Sequence, residues 1–122
     1  MPLVTANTDP RLIDWSEAEF TEARPGIVGA TFHTPELTVT MYRYSPGSTW
    51  EEHRHPQDQI TTVLEGQIDF SVNGHLVRLG PGESAALPGE TPHAATVPSD
   101  GPCVTVNVLT SRSAPPPPPP IE

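Results

Sequence analysis

Apolar and polar positions alternate with a period of two along most of this chain, and no segment carries a convincing 3.6-residue period. Residues 36–44, Glu-Leu-Thr-Val-Thr-Met-Tyr-Arg-Tyr, are the clearest case, dense in β-branched and aromatic side chains. Further strand-like runs are read at 27–34, 50–55, 59–64, 67–72, 75–79, 84–87, 93–97 and 103–109. Turn residues separate them: Pro25-Gly26, Pro35, Ser45-Pro46-Gly47-Ser48, Pro56, Glu65-Gly66 and Gly80-Pro81-Gly82-Glu83. Asn73-Gly74 is the strongest hairpin signal, because both central residues of a two-residue turn must tolerate positive φ. Eight or nine short strands at this spacing predict an all-β sandwich or closed barrel.

The ends differ from this body. Residues 1–10 read as an irregular arm. Residues 11–24 hold Leu12, Ile13, Trp15 and Phe20 among acids, which fits a short helix or two short edge strands; strands are the preferred reading. Seventeen Pro and nine Gly approach the level of disordered chains, but six prolines stand together at 115–120. The chain therefore divides into an N-terminal arm (1–24), a barrel (25–110) and a Pro-rich tail (111–122). Six prolines in polyproline II span about 19 Å. Such a tail is either a ligand for a Pro-recognition groove or a stiff solvated end.

Six basic residues against fifteen acidic ones give a net charge of −9, which argues against nucleic acid and anionic membranes as partners. No run reaches the roughly 18 apolar residues of a membrane span, and no signal peptide is visible, so a cytoplasmic location is expected. Cys103 is the only cysteine, which excludes an intrachain disulfide; it reads as a small buried apolar residue.

His53-Arg54-His55 carries the first chemical signal. On a strand, residues two apart share a face at about 6.5–7 Å, so two imidazoles converge on one side and can share a metal ion. Gly47 precedes His53 by six positions, Gln59 follows His55 by four, and Gly66 follows Gln59 by seven. Downstream, Pro88-Gly89-Glu90-Thr91-Pro92-His93 repeats the association of turn and histidine. On these two motifs the sequence resembles the cupin superfamily over about residues 36–110. It departs from the family pattern at Gln59, where Glu is usual, at Glu90 in place of Gly, and at Val97 in place of Asn.

The resemblance implies a double-stranded β-helix, the jelly-roll barrel, usually paired into a homodimer, with residues 1–24 as a candidate exchanged arm. It implies one divalent metal ion per chain, held by His53, His55, Gln59 and His93; zinc, iron, nickel, copper and manganese all suit such a site. His33 and His75 fit no motif position. With Gln59 in place of Glu, the ligand set is neutral and the ion keeps its full charge, which favours an anionic oxygen ligand. The sequence looks most like small single-domain cupins that process unsaturated uronates and like cupin-type polyketide cyclases.

That implies non-redox chemistry on a small oxygenated, enolisable substrate: isomerisation, ring opening, cyclisation or dehydration. An Fe(II)-dependent dioxygenase and a non-catalytic binding module are the alternatives. The resemblance favours Tyr42 and Tyr44 facing inward as pocket residues, with Tyr42 a candidate acid; parity alone leaves the inward face of 36–44 open. Glu51 shares parity with His53 and His55 and is a candidate base or a rim acid. Asn107, where the sugar-acid type often has Asp, is the third catalytic candidate. Glu52, Asp58 and Glu65 read as solvated charges.

Overall fold

The computed structural model describes residues 10–110. The Pro-rich segment 111–122 and the first nine residues of the arm lie outside the described residues. Ten strands are present: β1 (Thr21–Arg24), β2 (Ile27–His33), β3 (Leu37–Tyr44), β4 (Thr49–His53), β5 (Gln59–Glu65), β6 (Ile68–Val72), β7 (His75–Leu79), β8 (Ser84–Leu87), β9 (His93–Thr96) and β10 (Cys103–Thr110). They form a six-stranded sheet in the order β1-β2-β3-β10-β5-β8 and a four-stranded sheet in the order β4-β9-β6-β7. All pairs are antiparallel. This is the all-β architecture that the strand spacing predicts, in the jelly-roll form that the resemblance implies.

Local chemistry explains the strand ends. Asn73 (φ 50) and Gly74 (φ 81) make the expected two-residue turn, and Val72 pairs with His75 across it. Gly66 (φ 77) is required for a second reason: a Cβ there would strike the carbonyl oxygen of Pro102. The chain after β5 thus lies directly on the start of β10, where the β10–β5 register shifts between Val104 and Thr105.

The core between the sheets holds Ile27, Tyr44, Val63, Ile68, Phe70, Leu79, Ala95, Val97 and Cys103. Full burial of each large aliphatic side chain is worth about 1.5–3 kcal/mol. Cys103 is fully buried, as its composition suggests, and burial pushes its thiol up to about 11. His33 and His75 are both exposed. No helix of the described residues is long and apolar enough to cross a membrane.

Two expectations need correction. Residues 11–20 form no strand; only Thr21–Arg24 joins the sheet. Asp14 instead accepts hydrogen bonds from the backbone N–H and hydroxyl of Ser16, at 3.0 and 2.6 Å, which turns the chain locally. Trp15 packs edge-on against Phe32 (5.3 Å), and the Arg43 guanidinium lies 3.9 Å from the Phe20 ring centroid. Side-chain packing, not a backbone ladder, holds this segment to the outer face. The run 50–55 also ends early, at His53. Pro56 restricts His55 and offers no N–H, so the ladder stops before the second histidine of the pair.

Candidate metal centre

Strand β4 carries an irregularity that aims the first histidine. Trp50 pairs with Ala95 and His53 with His93, so three steps on β4 answer two on β9. This extra residue puts Trp50, not Glu51, on the face of His53. Both Trp50 and His53 line a cavity of about 130 Å³ at the open end of the barrel, together with Tyr42, Tyr44, His55, Gln59, Phe70, His93, Asn107 and Leu109. Glu51 is exposed and lines no part of it; what reaches the site is its backbone carbonyl.

Two loops bring the other histidines together. Glu90 N–H donates to the His55 carbonyl (2.7 Å), and Gly89 N–H donates to Asp58 Oδ1 (2.7 Å). Gly89 leaves no room for a side chain, because a Cβ would meet the carbonyl of Pro56. Glu90 takes φ 66, a left-handed conformation that suits the glycine usual at this place in the motif. The loop after β8 is thereby laid against the loop after β4, and His93 emerges beside His55.

Each imidazole is then fixed through one nitrogen. His53 Nδ1 lies 2.9 Å from the Glu51 carbonyl, His55 Nδ1 3.0 Å from the Gln57 carbonyl, and His93 Nδ1 2.8 Å from the Thr91 carbonyl. A carbonyl only accepts, so each Nδ1 carries a hydrogen, and in the neutral ring that leaves the lone pair on Nε2. One nitrogen from each of the three rings lies within 4.8 Å of the others. Burial pushes the His93 imidazole below the usual histidine range, against the pull of the Thr91 carbonyl, and the other two imidazoles add to the shift. The neutral, ligating form of His93 is favoured.

Gln59 opens β5 and completes the set. Its Nε2 donates to Thr61 Oγ1 (2.8 Å), which turns Oε1 toward His55 Nε2 at 3.0 Å. In the neutral ring, with the hydrogen of His55 on Nδ1, two electron-pair donors face each other, an arrangement that a cation bound to both would satisfy. Two ligand atoms about 2.1 Å from one first-row ion and about 90° apart are separated by about 3.0 Å. The residues present therefore fit a divalent ion, which His53, His55, His93 and Gln59 could hold.

Beneath the cavity a chain of hydrogen bonds crosses the barrel. Thr61 donates to Asn107 Oδ1 (2.6 Å), Asn107 Nδ2 donates to Thr105 Oγ1 (2.9 Å) and to the Thr40 carbonyl (3.4 Å), and Thr105 donates to the Tyr44 hydroxyl (3.3 Å). Both tyrosines line the cavity. Burial raises the phenol of Tyr44 well above its ordinary value; the Thr105 hydrogen bond pulls the other way. Burial also raises Tyr42, and the nearby Arg24 opposes the shift. The Tyr42 ring lies on Gly29, where a Cβ would sit 2.8 Å from Cδ1 and Cε1. Arg24 stacks over Trp50, 5.1 Å from the ring centroid.

The sequence profile of the cupin domain matches residues 40–109, more than half of the chain. The protein is a cupin. Curated relatives align with part of this cupin. The HTH-type transcriptional regulator PuuR of Escherichia coli is 35% identical over 79 residues, 62% of this chain and 43% of PuuR. The dimethylsulfoniopropionate lyase DddQ of Ruegeria pomeroyi is 33% identical over 67 residues, 54% of this chain and 33% of DddQ. The chain thus spans less than half the length of either. Among solved structures, KdgF from Halomonas sp. superposes with a TM-score of 0.80 at 24% identity, covering 85% of this chain and 96% of that one. The polyketide cyclase RemF from Streptomyces resistomycificus gives 0.77 at 19% identity, covering 88% and 83%. These structural likenesses carry the fold.

Several residues of the cupin's site escape a reading by motif. Trp50 was hidden by the irregularity in β4. Thr61 and Thr105 lie at strand positions where apolar residues are expected, although their alternation with Gln59 and Asn107 was a visible sign. Asp58 is exposed yet ties the loop that holds His55 to the loop that leads into His93. Replacing it with Ala (Asp58→Ala) is expected to cost about 1–2 kcal/mol, the worth of a charge-assisted bond to a backbone N–H. It should also weaken metal binding severalfold by freeing the loop that precedes His93. Urea denaturation and a competitive metal titration check both; unchanged values in both would refute the loop tie.

Proposed function

We propose that this cupin is a metal-dependent enzyme performing non-redox chemistry, such as isomerisation, ring opening, cyclisation or dehydration, on a small oxygenated, enolisable substrate. The observation that carries the reading is the donor set: three imidazole nitrogens and one amide oxygen converge with no carboxylate among them. A divalent ion in such a neutral set supplies Lewis acidity at nearly its full charge and favours an anionic oxygen ligand. The protein's own groups do the rest. Tyr42, Trp50, Phe70 and Leu109 wall the cavity with apolar surface, which limits water. The Tyr42 hydroxyl has no hydrogen-bond partner among the described residues and stays a phenol at neutral pH, so it serves as a proton donor and not a base. Asn107 has no proton to transfer near neutral pH; its amide is committed to Thr61, Thr105 and Thr40.

A second reading, a ligand-sensing module, is favoured by the 35% identity to part of PuuR. Tight binding of a small molecule without turnover would mark it. Pairing of two chains through a sheet edge belongs to the same proposal; exposed Leu76 and Val77 on edge strand β7 support it. Light scattering should give twice the chain mass, and the mass of one chain would remove the dimer.

The test of the chemistry is exchange of enolisable C–H hydrogens of a 1,3-dicarbonyl probe with D2O, followed by NMR alongside an oxygen electrode. Metal-dependent exchange without oxygen uptake is expected. Substrate-dependent oxygen consumption would favour the dioxygenase instead. Gln59→Glu should keep or tighten the metal and weaken an anionic ligand about tenfold, since it removes one unit of charge from the centre. Stronger anion binding would contradict the charge argument.

A further inference from the structure

The hydrogen-bond chain beneath the cavity has a direction, and one backbone group fixes it. The Thr40 carbonyl can only accept, so the Asn107 nitrogen must face it (3.4 Å). Asn107 Oδ1 then faces Thr61, which must donate to it at 2.6 Å. On the other side, Asn107 Nδ2 gives its second hydrogen to Thr105 Oγ1 at 2.9 Å. Thr105 is fully buried, and the Tyr44 hydroxyl, 3.3 Å away, is the one acceptor left for its own hydrogen among the described residues. Tyr44 therefore receives a hydrogen bond from behind. Its own hydrogen has no acceptor among the described residues, and its side chain lines the cavity while only 6% exposed. A buried hydroxyl hydrogen normally finds a partner.

We propose that Tyr44 donates this hydrogen to an acceptor oxygen of the ligand in the cavity, and that Asn107 is the positioning residue that keeps it turned there. The proposal rests on the reading above that the cavity takes a small oxygenated ligand, and it narrows the class. The ligand offers oxygen twice: one to the histidine end and a second (carbonyl, carboxylate or enolate oxygen) to Tyr44. The same chain sets both ends, because Thr61, once it donates to Asn107, must accept from Gln59, which leaves the Gln59 oxygen toward His55. A carboxylate at position 107 would reverse the far end. It has no hydrogen to give, Thr105 would turn its hydrogen toward it, and Tyr44 would donate to Thr105 and no longer to the cavity.

The test is calorimetric titration of malonate, a dicarboxylate with oxygens at both ends, into the full chain at about pH 8, with and without Co(II). Tyr44→Phe is expected to lose about tenfold in malonate affinity while Co(II) affinity is unchanged. Asn107→Asp should lose a similar factor, and the double variant should lose no more than either, since both remove one hydrogen bond. Additive losses would mean that Asn107 supports the fold and not the donor direction, and would overturn its role. Malonate bound equally by wild type and Tyr44→Phe, or by neither form of the wild type, would overturn the proposal. If Asn107→Asp fails to fold, the nearly isosteric Tyr44→Phe carries the test. Absence of Co(II) binding would refute the metal reading alone, and the metal-free titration would still decide on Tyr44.

Discussion

A backbone carbonyl can accept a hydrogen bond and cannot give one. Four such groups set the chemistry at the open end of this barrel: those of Glu51, Gln57 and Thr91 behind the imidazoles, and that of Thr40 behind Asn107. The first three take the Nδ1 hydrogens, so that in the neutral rings Nε2 is the nitrogen left with a lone pair. The fourth orients an amide, two threonines and a glutamine, so that an oxygen faces the histidines. The side chains supply the functional atoms, while the strand and loop backbone decides which way each one presents its hydrogen or lone pair.

The interior is built at some cost to the simplest folding rule. On β10 the inward positions are Cys103, Thr105, Asn107 and Leu109, while Val104, Val106 and Val108 alternate with them. The valine side of this strand thus faces away from the cavity. Val108 and Val39 lie instead in an outer groove with Ile13, Phe32 and Leu37, beside the irregular segment at the start of the described chain. Polar groups inside are tolerable because almost all are paired. Among the described residues, the buried side-chain atoms without a partner belong to Arg11 and Thr110, neither of which lines the cavity.

Much of this was legible in the sequence. Period-two alternation and turn residues located nine strands closely, because a strand's face and its stops are local properties. The resemblance to the cupin motifs marked His53, His55, Gln59 and His93, which the fold brings together although they come from β4, the loop after it, β5 and β9. Three things were not legible, each for a non-local reason. The segment before Thr21 is held by Trp15 and Phe20 packing on distant strands. Glu51 loses its parity with His53 because pairing with β9 inserts a residue. Asp58 reads as a solvated charge because its partner, the N–H of Gly89, is 31 positions away.

The central claim is that a divalent ion belongs among His53, His55, His93 and Gln59, with the glutamine presenting its oxygen. The most direct measurement is anomalous diffraction at a metal absorption edge from crystals of the cobalt-loaded chain. The account predicts one ion per chain, bonded to the three Nε2 atoms and to Gln59 Oε1. An ion bound elsewhere, no ion at all, or a Gln59 turned away so that its amide nitrogen faces the histidines would contradict it.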